Sequence, residues 1–196
     1  MPFLSIPPAE PVIPPTFFEK LSRAALERTT HTIIYDGRYV KIAYPMGDVS
    51  PYIGVCTDVV VRSYRQLGID LQKLVHEDMK RAFKQYPSRK LWGLKKTDTN
   101  IDHRRVPNLR VYFERHGESL VVTDKAEDYR AGDLVTWSLA PRKPHIGIVA
   151  EQFSMRNPQR RLMIHNIGNG PVLEDMLFRF KITGHYRYKP EGFEDE

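Results

Sequence analysis

A change of hydrophobic period part-way along the chain constrains its fold more than any other feature. Up to Gly117 apolar residues recur mainly at helical spacing. Beyond it, "DLVTWSL", "HIGIVAE", "RLMIHNI" and "FKITGHYRY" are short β-type runs separated by Pro, Gly and Asn. A half that buries helical stripes, followed by a half that buries strands joined by turns, is an α+β arrangement: N-terminal helices packed on a C-terminal antiparallel sheet.

Within the first half, "TFFEKLSRAALERTTH" places Thr16 as an N-cap with Glu19 three residues on, and Phe17, Leu21 and Ala24 or Ala25 on one face. "TIIYDGRYVKIAYPMGDVSP" alternates short β-type runs with turn signals. In the helix that starts at Cys56, Val60, Tyr64 and Leu67 share a face with the cysteine. Arg62, Arg65 and Gln66 take the other, Asp58 points away from the cysteine, and Gly68 is the stop. "DLQKLVHEDMKRAFKQY" turns Leu71, Leu74, Val75 and Met79 inward, "PSRKLWGLKKTDTNIDHRR" reads as a long loop, and "VPNLRVYFERHG" is a short helix ending at Gly117. Five prolines between Pro7 and Pro15 make residues 1–15 an extended tether; residues 16–190 form one domain, and 191–196 an acidic tail.

The net charge of +6 and pI near 9.4 suit an anionic partner such as nucleic acid, a membrane surface or an acidic wall polymer. The charges are scattered, with no basic run or basic-aromatic repeat, which sets nucleic acid aside. One cysteine in 196 residues excludes an intrachain disulfide framework and a zinc ribbon. No apolar run reaches the roughly 18 residues of a membrane span. "MPFLSIPPAEPVIPP" lacks the form of a signal peptide, yet a proline-rich leader is what often remains between a removed targeting segment and a domain. The oligomeric state is left open.

Cys56 has two readings. An unpaired cysteine usually packs as a small hydrophobe. At a helix N-terminus, however, the macrodipole and free N–H groups favour the thiolate, so a lowered pKa and fast alkylation are expected. A thiolate nucleophile needs an imidazole partner. His145 opens "PHIGIV" and His165 sits in "LMIHNIG". If these runs pair with residue numbers summing to 310, the two histidines face one another, giving nucleophile, base and orienter. The same three residues are alternatively three zinc ligands, without a recognised zinc spacing. His31, His116 and His185 read as surface or strand-end residues, and His76 lies on a charged helix. Asp102, His103, Arg104 and Arg105 in the long loop are candidates to line a cleft and contact substrate carboxylates, set against the plainer reading of a solvated charged loop.

"GVCTDVV", "AGDLVTW", "PHIGIV" and "IHNIGNGP" resemble, in that order, the nucleophile helix, the Gly-Asp-Leu-Val strand, the base strand and the third-residue strand of papain-like cell-wall peptidases of the NlpC type. From Tyr35 to Tyr188, with "DLQKLVHEDM", "TNIDHRRVPNL" and "KITGHYRY", the chain resembles more closely the bacterial domain-of-unknown-function family numbered 1287. The resemblance implies a papain-like fold with Cys56 as nucleophile, His145 as general base and His165 as its orienter. Asn166, beside His165, is a candidate substrate contact. Val55 stands where those peptidases usually carry Asp, so it cannot hold a substrate amine through a carboxylate.

The implied activity is a cysteine peptidase or amidase acting on peptide stems of bacterial peptidoglycan through an acyl-enzyme, with no cofactor or metal, in the periplasm or outside the cell. Two other functions fit the same residues: a non-catalytic wall-binding module, and a thiol acyl hydrolase or transferase on lipid or protein amides.

Overall fold

Thr16 opens the first helix through a reciprocal cap. Its hydroxyl accepts the Glu19 N–H at 3.3 Å, and its own N–H reaches the Glu19 carboxylate at 2.8 Å. The structure, a computed structural model, describes residues 14–193. Most of the tether expected over residues 1–15 and the end of the acidic tail, residues 194–196, lie outside the described residues. In chain order come α1 (Phe17–Arg28), β1 (Ile34–Tyr35), β2 (Ile53–Gly54), α2 (Cys56–Gln66), α3 (Leu71–Ala82), α4 (Ser88–Trp92) and α5 (Val106–His116). They are followed by β3 (Glu118–Leu120), β4 (Leu134–Ala140), β5 (Lys143–Phe153), β6 (Arg161–Asn166), β7 (Pro171–Glu174) and β8 (Lys181–Arg187). The fold is helices first and an antiparallel sheet second, as the change of period implies.

The sheet has six strands in the order β3-β8-β4-β5-β6-β7, every neighbour antiparallel. Alternation along its central strands feeds two cores. Leu134, Ile146, Ile148 and Ile164 meet Leu21, Val60, Tyr64, Leu109 and Phe113 of the helices. Val135, Trp137, Val149 and Met163 point the other way and pack with Tyr129, Met176 and Leu177. Burial on both faces is why these strands read as near-continuous apolar runs.

Several local expectations change. The segment between Ile34 and Gly54 holds only the two short parallel strands β1 and β2. Side chains tie down the rest: the Asn100 carboxamide accepts the Ile42 N–H at 2.9 Å, and Gln72 bonds both Gly47 N–H and Ala43 O. The loop expected around residues 87–105 contains α4 and a 3₁₀ turn, Asp102–Arg104, elements too short to leave a period in the sequence. The polar face of α2 is not solvated. Arg62 is buried and makes a bidentate pair with Asp48 at 2.9 and 3.1 Å, while Gln66 alone of the three named polar residues is exposed. His185, expected at the surface or a strand end, lies near the end of β8 but is buried: its Nε2 is 2.8 Å from Asp133 and its ring stacks on Tyr129 at 4.3 Å. An interior carboxylate answers its polar edge, so the sequence period alone cannot reveal the burial. Gly68, at φ 81°, does end α2 in the left-handed conformation that favours glycine.

Candidate active site

Cys56 is the first residue of α2, and the start of that helix is held by ionic bonds rather than by a side-chain cap. Val55 has no side-chain oxygen to offer, and Asp58 accepts the Val55 N–H at 2.7 Å. Arg104 then grips Asp58 through Nε and Nη2 at 2.8 and 2.9 Å, and the Thr57 hydroxyl donates to Arg104 O at 3.1 Å. Both partners of the ion pair are almost fully buried. Asp58 does point away from the cysteine, but into this clamp.

Asp102, His103 and Arg104 therefore do not line a cleft. All three are buried, which corrects the expectation that they contact substrate and equally that they form a solvated loop. The Asp102 carboxylate accepts the Asp98 N–H at 2.5 Å, and burial pushes its pKa up to about 6. Burial pushes His103 down to about 4. Arg105 is half-buried and lays its guanidinium 4.2 Å from the Trp92 ring centre. Asn166, expected as a substrate contact, is also buried; its Oδ1 accepts the Gly168 N–H at 3.1 Å inside the β6–β7 turn. Charged and polar runs read as solvent-facing unless their partners, far away in sequence, are known.

The two histidines do meet. β5 and β6 pair with Ile148 opposite Ile164 and Val149 opposite Met163, residue numbers summing to 312 and not 310. The two-residue slip keeps both histidines on one face, because side chains alternate with period two. They become diagonal neighbours, with Gly147 in the position that faces His165. A Cβ at Gly147 would lie 3.0 Å from His165 Cβ and 2.8 Å from Ile164 O, so glycine makes the room. His145 Nε2 is 3.0 Å from His165 Nδ1, and the Trp137 ring stands 5.9 Å from the His145 ring.

A fourth residue completes the line. His165 Nε2 lies 2.9 Å from Glu174 Oε1, in β7. A carboxylate only accepts, so His165 carries its proton on Nε2 and accepts through Nδ1. His145 must then donate from Nε2, which leaves the lone pair of the proton acceptor on His145 Nδ1. Among the described residues that atom makes no hydrogen bond. Glu174 was not singled out in the sequence; only the strand register brings it to His165.

The thiol meets β5 at the neighbouring residue. Ile146 and Thr57 N–H groups and the Tyr35 hydroxyl bond to it, and burial nevertheless pushes its pKa up to about 11, with Asp58 adding to the rise. The expected lowering at the helix terminus is overturned because desolvation outweighs the N–H bonds. Burial, with His165 adding, pushes His145 down to about 3, and burial also lowers His165 against the pull of Glu174. Tyr35, another residue the sequence did not single out, is pushed up to about 12 by burial and the adjacent thiol. The thiol and the His145 imidazole thus both rest neutral, and no hydrogen bond joins them. Cys56, His145 and His165 are 4%, 1% and 0% exposed. Among the described residues no group of three or more His, Cys, Asp or Glu side chains is arranged to hold a metal ion. No helix among them is long and apolar enough to cross a membrane.

The protein described as "Uncharacterized protein YijF" from Escherichia coli (strain K12) is 44% identical over 185 residues, covering 91% of this chain and 88% of that protein. No solved structure matches the chain. Residues 22–188, which hold every residue of the thiol and histidine sites, match the family described as Domain of unknown function (DUF1287), and the chain belongs to that family.

Proposed function

We propose that this protein is a cysteine amidase of papain-like, NlpC-type architecture that cleaves an amide bond in the peptide stems of peptidoglycan, in the bacterial envelope. The observation that carries the reading is the line Glu174–His165–His145, which fixes a free lone pair on an imidazole one residue from the amide that bonds the only thiol. The motif order of the NlpC-type peptidases supports it, as does the positive charge, which suits an anionic wall polymer.

Because thiol and imidazole rest neutral, proton transfer accompanies attack. His145 Nδ1 accepts the Cys56 proton as Sγ bonds to the substrate carbonyl carbon. The oxygen that gains the electron pair takes hydrogen bonds from the helix-start N–H groups and the Tyr35 hydroxyl. When the C–N bond breaks, His145 returns the proton to the leaving amine, giving a thioester on Cys56. Water then attacks that thioester, His145 takes its proton and gives it to the departing thiol, and the acid is released.

The nearly closed thiol favours one second reading, a wall-binding module without turnover. Digestion of purified peptidoglycan, with products read by mass spectrometry, separates the two. New stem-peptide fragments with the wild-type protein and none with Cys56→Ala support the amidase; binding without fragments supports the module; the same fragments from both proteins refute Cys56 as nucleophile.

A further inference from the structure

A cleft of about 580 Å³ opens between α4, the start of α5 and the turn joining β4 to β5. Lys90, Arg110, Arg142 and Lys143 line it, and no carboxylate does. Elsewhere some cations are ion-paired, as Arg23 is with Glu151 and Arg187 with Asp133, and others stand singly; here four gather around one opening. Among the described residues, Lys90, Arg142 and Lys143 have no carboxylate within 4.0 Å, and Arg110 has only Glu114 at 3.8 Å. Like charges gathered without counter-charge repel one another, and an anion in their midst removes that cost. Trp92 and Pro144 give the cleft apolar surface beside these charges. Arg142 stands at φ 61° in the two-residue turn Pro141-Arg142, a position that favours glycine, and still presents a guanidinium there.

The place of the cleft is informative. Pro144 and Ile146 point to the same face of β5, about 7 Å apart along the strand, and the Ile146 amide bonds the Cys56 thiol. An extended peptide covers that span in about two residues.

We propose that this cleft is the subsite for a carboxylate-bearing part of a peptide substrate, about two residues from the bond that is cut; its relation to the cut bond rests on the amidase reading. The apolar walls fit a peptide chain carrying its acids, in preference to a bare phosphate.

The test uses full-length, ¹⁵N-labelled Cys56→Ala protein, which lacks the proposed nucleophile, titrated with acetyl-Ala-Glu-Ala-Glu-amide and with its glutamine counterpart, also amidated. The acidic peptide should shift the Trp92 indole and the Arg142 and Lys143 amides, and bind at least roughly tenfold more tightly than the neutral one. Arg142→Glu with Lys143→Glu should abolish that preference, while Lys125→Glu, outside the cleft, should leave it unchanged. Equal affinity for both peptides, shifts confined to other regions, or a preference that survives the double reversal overturns the subsite. Inorganic phosphate and phosphatidylglycerol vesicles are run in parallel; binding of either at this cleft as tight as the acidic peptide also overturns it. Binding here is read without hydrolysis, so an inactive wild-type protein with a selective cleft refutes the amidase alone. An active protein with an unselective cleft refutes the subsite alone.

Discussion

At Cys56 two residue-scale effects oppose each other, and burial wins. The helix terminus and two N–H bonds favour the thiolate, yet the thiol is pushed up to about 11. Iodoacetamide should therefore react slowly near neutral pH and faster with each step toward pH 11, without a plateau at the ordinary value of about 8.5; a rate that levels off at or below 8.5 contradicts the buried neutral thiol. Cys56, His145 and His165 were legible because their residue types and apolar settings are local facts. Glu174 was not, because its role depends on the β6–β7 register, which no local spacing supplies. Its replacement by Gln removes the pure acceptor that assigns both tautomers. We expect kcat on a stem-peptide substrate to fall by roughly 10- to 100-fold, with KM changed by less than about twofold and partial recovery in Glu174→Asp. Unchanged kcat would make Glu174 a bystander.

Single elements matter here through what clamps them. α2 carries the thiol, and its first turn is held by the buried pair Asp58–Arg104, with Arg62 and Asp48 a turn further on. Arg104→Ala leaves a buried carboxylate without a partner. It should lower unfolding free energy in urea by about 3–5 kcal/mol, and a loss under about 1 kcal/mol would show that water reaches the site. The helices of this half were legible because their apolar stripes repeat every 3.6 residues, and α1 because its cap is written in Thr16 and Glu19. The clamp was hidden because Asp58 and Arg104 are separated by 46 residues, and nothing local tells an interior arginine from a solvated one. The same blindness assigned Asp102, His103, Arg104 and Asn166 to substrate. β4, β5, β6 and β8 were legible as β-type runs bounded by turn residues, whereas β1, β2, β3 and β7 are too short to carry such a signal.

Across the whole molecule, acid should unfold the protein early. His145 and His103 stay neutral in the fold, with pKa values down to about 3 and about 4, but charge in the unfolded chain below about pH 6.5. The unfolded state then binds more protons, so stability falls with acidification by about 1.4 kcal/mol per pH unit for each such group. Asp102, up to about 6, keeps its proton in the fold and offsets one group between about pH 6 and 4. From pH 7 to about 4.5 the net loss is roughly 3 kcal/mol, readable as a lower urea midpoint; a midpoint constant over that range contradicts the neutral buried histidines. The central claim, that Cys56 attacks an amide carbonyl with His145 as base, is tested most directly by intact-protein mass spectrometry after acid quenching of a reaction with peptidoglycan stem peptides. A thioester adduct should appear on wild-type protein, map to Cys56, and be absent from Cys56→Ala and His145→Ala. Cleavage that proceeds without any adduct, or an adduct that persists when Cys56 is replaced, would contradict it.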